Sequence, residues 1–416
     1  MAQLSDDCFA FGGKLLTVGE AQALIASGTQ AVDGTERVAL LEADGRILAD
    51  GLAAPGDLPP FRNSAVDGYA VRLSDLEMAD ALPVVGRLPA GAAAAEALAP
   101  GTVRRIFTGA AMPPGADTVF MQEDVELSTA GVRLPAGLKP GANTRPQGED
   151  IAAGTPALAA GQRLRPQDLA LAAALGVAHL VVRRRVRVGL FSTGSELVAP
   201  GGALGPAQQY DSNRVLLGAL ARRTGAAVSD LGILPDNPGA IRAALAAAGA
   251  GHDLVLTSGG VSAGEEDWVR DAVQAVGSLA FWRLAIKPGR PVAMGQVGGA
   301  AFMGLPGNPV AAFVTFTMIA RPLLAALAGE GWAPSPGYPV VAGFNYRKKT
   351  GRREYVRVRV QPGPDGALHA RKHPVDGAGI LTSLTMTDGL VELGEDVVGV
   401  MPGEVVAYLP YGGGLL

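Results

Sequence analysis

The sequence predicts a multidomain α/β protein built on one doubly wound α/β domain at residues 186–328. Three observations lead there. Within that range, continuous apolar runs alternate with capped helical segments, as in a buried parallel sheet wrapped by helices. On either side, 55–154 and 329–416 carry short β-prone segments between turns rich in Gly and Pro. The 416 residues also exceed what one ordinary hydrophobic core organises.

In chain order, residues 1–54 carry two helical patterns. Lys14–Ser27 spaces Leu15, Leu16, Ala23, Leu24 and Ile25 as a helix does, and a second pattern covers Val38–Ala49. Residues 55–154 then read as a small β domain, through PVVGRL, GTVRRIFTG, DTVFMQEDVEL and GVRLP. Helical texture resumes with Pro166-Gln167-Asp168, so 155–185 returns to the first domain and makes 55–154 an insertion. In 186–328, VRVGLFST, AVSDLGIL, DLVLTSGG, AFWRLAI, PVAMGQV and AAFMGLPG are strands. The helices between them start at Ser212 or Asn213, at Asn237-Pro238, in EEDWVRDAVQAVG and at Asn308-Pro309. In 329–416, EYVRVRVQPGPDGALHARKH is a hairpin across Gly363–Gly366, and EVVAYLP is a further strand.

Composition narrows the function. Hydrophobic residues at 48% against charged residues at 18% describe a folded globular protein, not a disordered one. A net charge of −4 leaves no general basic field for nucleic acid. The densest basic spot, Arg183-Arg184-Arg185, reads as a solvated strand entrance. The single cysteine, Cys8, permits no disulfide or thiolate metal site within one chain. The N-terminal residues carry no secretory pattern, and apolar stretches such as Val310–Ala320 are too short to span a bilayer. The expected compartment is the cytoplasm.

Ligands of open α/β sheets bind beyond the carboxyl ends of the strands. Three such ends combine hydroxyls, glycines and a helix start: Ser192–Glu196, Thr257–Ser262 with Gly264–Asp267, and Gly304–Pro309. Exposed N–H groups there suit a phosphate or another oxyanion. Each loop also has a purely structural explanation, for example Ser262 and Glu265 as a capping box. Arg283, Lys287 and Arg290 follow a strand within eight residues, as a spread anion requires. Asp67, Asp150, Glu196, Asp236 and Asp267 lie in Gly- or Pro-containing loops, where hard divalent cations find oxygen ligands. His369 and His373, four apart on a strand with no cysteine nearby, do not make a zinc pair.

PPFRNSAVDGYAV, FSTGSEL, YDSNR, TSGGVSAGEEDW, AIKPGRP and GLPGNPV together resemble, in the same order, the motifs of the molybdopterin molybdenumtransferase family, which includes the C-terminal domain of gephyrin. The resemblance covers nearly the whole chain. It implies a molybdopterin-binding α/β domain, a discontinuous N-terminal domain (1–54 and 155–185), an inserted β domain and a barrel-like C-terminal β domain. It also implies an elongated homodimer with the site between subunits. The implied reaction inserts molybdate into adenylylated molybdopterin, releases AMP and uses a divalent cation, Mg²⁺. On this resemblance Asp67, Glu196, Asp267 and Lys287 are catalytic, while Asp67, Glu196, Asp236 and Asp267 bind metal. Thr108, Asp150, Ser258, Gly259, Gly260, Arg283, Arg290, Pro306, Pro309, Arg352 and Ser383 bind substrate. Some positions depart from the pattern: Val66 stands for methionine, Ser195 for an acid or amide, and Arg283 and Arg290 for lysines.

Two other functions compete. Molybdopterin adenylyltransferases, the expected pathway partners, share the α/β domain but lack the extra segments 1–185 and 329–416. An inactive molybdopterin-binding scaffold would not need Asp67, Asp236, Asp267 and Lys287.

Overall fold

The structure, a computed structural model, describes residues 15–259, 268–364 and 366–412. Its centre is a seven-stranded sheet in the order Leu15–Leu16, Gly277–Leu284, Pro291–Val297, Ala300–Leu305, Leu254–Ser258, Arg187–Thr193, Ala227–Leu234. All neighbours run parallel except Pro291–Val297, which is antiparallel to both of its partners. The sheet is therefore mixed, where the alternation of strands and helices predicts a parallel one. The short links at 285–290 and 298–299 leave no room for a helical crossover.

Helices cover both faces. One apolar layer joins Leu190, Leu256, Met303 and Trp282 to the N-terminal helix and to Phe313, Ile319 and Leu323. The other joins Phe191, Val255 and Phe302 to Ile241, Leu245 and Val273. Burying each such side chain stabilises the fold by about 1.5–3 kcal/mol. The segment Pro309–Ala328 is continuous over 20 residues, longer than its composition suggested, and apolar enough to cross a membrane; 89% of its most apolar window is buried inside the protein. Here it is a core helix.

Three local expectations are corrected. The first helix is Val18–Gly28, because Thr17 and Glu20 form a capping box that fixes its start. Leu15–Leu16 instead form an edge strand on Arg283–Leu284. The pattern at Val38–Ala49 is not a helix. Thr35–Ala39 pairs with His179–Arg183, and Leu48 bridges Val182, so strand pairing across the insertion overrides a helical spacing. The helix Ser212–Arg223 is capped by Asp211, whose carboxylate accepts from the Arg214 N–H at 3.1 Å. Residue 211 comes just before the helix, where a short acidic side chain turns back onto the open N–H groups. The capping box at Ser262–Glu265, like Cys8 and Asp365, lies outside the described residues.

The discontinuous part closes on itself: Pro156–Leu158 pairs with Leu52–Ala53 around a core of Leu48, Leu164, Leu180 and Val182. The insertion is a four-stranded sheet of Gly68–Val71, Val84–Leu88, Val103–Ile106 and Thr118–Met121. In the C-terminal part, Arg353–Pro362, Leu368–Lys372, Tyr338–Ala342, Val405–Pro410 and Gly389–Leu393 pair in a closed ring, a five-stranded barrel. Its hairpin turns across residues 363–366. The Arg183–Arg185 run is a junction more than a solvated entrance: Arg184 reaches the buried Asp253 at 2.6 Å, and Arg185 donates to the Gly225 carbonyl.

Candidate functional site

The carboxyl ends of Arg187–Thr193, Leu254–Ser258 and Ala300–Leu305 open on one groove. Two adjoining cavities form it, of about 610 Å³ and 270 Å³, sharing Gly259, Gly307 and Asn308. The floor is preset by backbone geometry. Ser258 Oγ accepts from Asn213 Nδ2 at 2.8 Å, and Asn213 also donates to the Gly307 carbonyl at 2.6 Å. The Gly259 N–H donates to Leu305 O, tying the second loop to the third. Asn213 Oδ1, on a residue that lines the smaller cavity, is buried with no hydrogen-bond partner among the described residues, so the floor retains one unmet acceptor.

The larger cavity is walled by cations from two parts of the chain. Lys287 and Arg290 come from the turn after Gly277–Leu284; Arg357 and Lys372 come from the barrel, with His373 beside them. Gly289 must be glycine for this turn. Its φ is +107°, and a Cβ there would lie 2.4 Å from Thr315 Cγ2. Glu354 is 1% exposed and accepts from Tyr346 Oη at 2.7 Å, from Lys287 Nζ at 3.1 Å and from Arg352 Nε at 2.7 Å. Burial alone would push the Glu354 carboxyl up, but these donors win and hold it below the ordinary glutamate value. Burial likewise disfavours the Lys287 ammonium, yet its bonds to Tyr346 and Glu354 raise it above the ordinary lysine value. Arg357 is 6% exposed; its guanidinium donates to the Val375 carbonyl, and its Nε has no partner among the described residues.

The smaller cavity carries the acidic side. Glu196 lines it, together with Asp211, Asn213, Ser258 and Pro309. Asp236 is exposed and accepts from the Ser195 N–H at 2.7 Å, which orders the Glu196 loop without lining either cavity.

Asp67 belongs to a separate cluster on the insertion. Its Oδ1 accepts from both the N–H and the hydroxyl of Thr108, each at 2.8 Å. The backbone bond first, then the hydroxyl, holds its carboxyl below the ordinary aspartate value. Gly68 lets the strand approach: a Cβ there would lie 1.8 Å from Phe120 O. Arg105 stacks nearby over Tyr69 and Phe107, 5.1 and 4.8 Å from the ring centroids. Neither cavity of the groove is lined by any described residue of this insertion.

The structure thus brings together Glu196, Ser258, Gly259, Lys287, Arg290, Pro306 and Pro309. Arg352 lines an adjoining cavity behind Lys287. Arg283 is exposed at the strand end and lines neither main cavity, because Trp282 and Leu284 take the buried face. Asp150 is exposed on the insertion, and Ser383 is fully buried, donating to Ile380 O at 2.5 Å. Gly260 and Asp267 lie outside the described residues. Glu354, Tyr346, Arg357, Lys372 and His373 are additions that the motifs did not single out. One signal was available: in GRREYVRVRV, Glu354 shares strand parity with the buried Val356 and Val358.

Three family models match in succession. They are the "MoeA N-terminal region (domain I and II)" at 16–176, the "Probable molybdopterin binding domain" at 189–326 and the "MoeA C-terminal region (domain IV)" at 339–411. The molybdopterin molybdenumtransferase of Haemophilus influenzae is 38% identical over 399 residues, 95% of this chain and 99% of that protein. Molybdopterin molybdenumtransferase 2 of Mycobacterium tuberculosis is 37% identical, over 88% of this chain and 92% of that one. Among solved structures, the molybdopterin biosynthesis moeA protein of Pyrococcus horikoshii OT3 superposes with a TM-score of 0.83 at 31% identity, covering 96% of this chain and 100% of that one. Similarity this high over essentially full length, on a fold with the same sequence of parts, means that the chain belongs to the molybdopterin molybdenumtransferase family.

Proposed function

We propose that this transferase inserts molybdenum from molybdate into adenylylated molybdopterin, cleaving the diphosphate and releasing AMP. The observation that carries the reading is the groove itself. Lys287, Arg290 and Arg357 face its larger cavity. Such a surface binds a ligand with several phosphate oxygens and stabilises charge that develops as the diphosphate breaks. Fixed donors act most strongly here because little reorganisation is needed.

Among the described residues of one chain, no three His, Cys, Asp or Glu converge as a metal cage. Mg²⁺ needs less, since one or two carboxylates plus ligand phosphates suffice, and the oxygen donor of Glu196 in the groove fits that demand. Glu196, with Asp236 beside it, would hold the ion, which would neutralise diphosphate charge.

The working unit of the proposal is a homodimer. Asp67 and Thr108 line neither cavity of their own chain, so they complete the groove of the second subunit. Substrate arrives from a molybdopterin adenylyltransferase, in the cytoplasm. The test is AMP release from adenylylated molybdopterin with Mg²⁺ and molybdate. Release that depends on molybdate is expected, with Lys287→Ala or Asp67→Ala slower by about 10²–10³-fold. Tight binding without release would indicate a scaffold instead.

A further inference from the structure

Glu354 is a sealed anion between two exposed cations. Its side chain is 1% exposed, while those of Lys287 and Arg352 are 42% and 38% exposed. Lys287 lines both the 610 Å³ cavity and the adjoining 330 Å³ cavity, and Arg352 lines the latter. Backbone register enforces the arrangement. Ile286–Lys287 pairs in parallel with Arg353–Glu354, and Arg353 N donates to Ala285 O at 2.7 Å. The barrel thereby fixes the turn of the α/β domain that carries Lys287.

Tyr346 closes the set. Its hydroxyl donates to Glu354 and accepts from Lys287 at 3.1 Å, with the ammonium 5.5 Å from its ring centroid. An ammonium has three N–H groups. Two are used by Tyr346 and Glu354, which leaves the third for a ligand. Without the carboxylate, the two cations would repel and sample many rotamers.

We propose that Glu354, oriented by Tyr346, is a positioning residue that sets Lys287 and Arg352 as a matched pair for a tetrahedral oxyanion dianion. This rests on the proposed function of the groove, and molybdate is the probe.

Two roles for Glu354 predict opposite signs. If it merely neutralised charge, Glu354→Gln would leave the groove more positive and bind molybdate more tightly. As a positioning residue, it loses geometry when substituted. One amide cannot accept from Arg352, Lys287 and Tyr346 together, and its own N–H groups would face a donor.

The experiment compares full-length wild type, Glu354→Gln and Tyr346→Phe. Molybdate binding is measured by titration calorimetry, AMP release as a function of molybdate and pH, and folding by thermal melting. Glu354→Gln is expected to raise half-saturating molybdate roughly tenfold to hundredfold, the worth of hydrogen bonds to charged groups. Its alkaline limb should move to lower pH, because the ammonium keeps Tyr346 but loses its counter-ion; Arg352 beside it and Arg290, Arg357 and Lys372 on the larger cavity disfavour its charge further, against Asp376 as the one carboxylate among the described residues lining that cavity. Tyr346→Phe should weaken binding in the same direction and by less. Unchanged or tighter binding in a folded Glu354→Gln protein, or an alkaline limb that stays in place, overturns the proposal. Should Glu354→Gln fail to fold, Tyr346→Phe decides by the same measures. A wild type without molybdate-dependent release overturns the reading of the groove itself, and this proposal falls with it.

Discussion

Asp253 shows how much one side chain can carry outside the site. It is 2% exposed and accepts from Arg184, from Arg187 and from the Arg187 N–H at 2.8 Å. Burial alone would raise its carboxyl, yet the guanidinium and N–H donors outweigh burial and lower it from 3.8 to about 2. A carboxyl depressed on folding stabilises the protein above its unfolded value, and that stability is lost as pH falls through the folded value. Asp253 should therefore contribute about 2 kcal/mol at neutral pH, declining between roughly pH 4 and pH 2. Melting curves of wild type and Asp253→Asn should differ clearly at pH 7 and converge toward pH 2. A constant gap across that range would refute the linkage. The deeper loss in Asp253→Asn comes from leaving two arginines without their partner.

Individual elements decide where the chemistry can sit. The turn Ala285–Arg290 joins Gly277–Leu284 to the antiparallel strand of the sheet and presents Lys287 and Arg290 to the groove. Its closeness to the core helix depends on Gly289. Gly289→Ala adds an unfavourable positive φ, costing roughly 1–2 kcal/mol, and a collision with Thr315. The turn must then move, so molybdate-dependent AMP release should fall by about tenfold or more while the far-UV spectrum stays native. Gly289→Ala with full activity would show that the turn tolerates displacement. Pairing Gly289→Ala with Thr315→Ser relieves the steric part and should restore part of the rate.

At the scale of the whole molecule, two groups of the proposed site lie apart from the groove of their own chain. Asp67 and Thr108 sit on the insertion, with their carboxylate and hydroxyl already joined but lining neither cavity. If two subunits share each site, mixing Asp67→Ala with Lys287→Ala protein should regenerate one intact site per heterodimer. After random reassociation, about a quarter of wild-type activity is expected. No recovery, in a sample shown to have exchanged subunits, would place all the catalytic groups in one chain. Domain coupling also enters at this scale. Arg163 holds Glu330 through two bonds of 2.9 and 2.6 Å, tying the discontinuous N-terminal part to the end of the core helix.

The order of strands and helices in 186–328, the barrel hairpin and the first and third loops at strand ends were legible in the sequence, because period, caps and turn residues are local properties; most of the second loop lies outside the described residues. So was the place of Lys287 and Arg290 on the groove, since their turn follows a strand directly. Tertiary structure alone decided that Leu15–Leu16 and Thr35–Ala39 are strands, because their partners lie at Arg283–Leu284 and His179–Arg183, far along the chain. It also decided that Glu354 is the hub of the cationic wall. Strand parity turns that side chain inward, but only the docking of the barrel on the turn at 285–290 gives the buried carboxylate the donors that keep it charged.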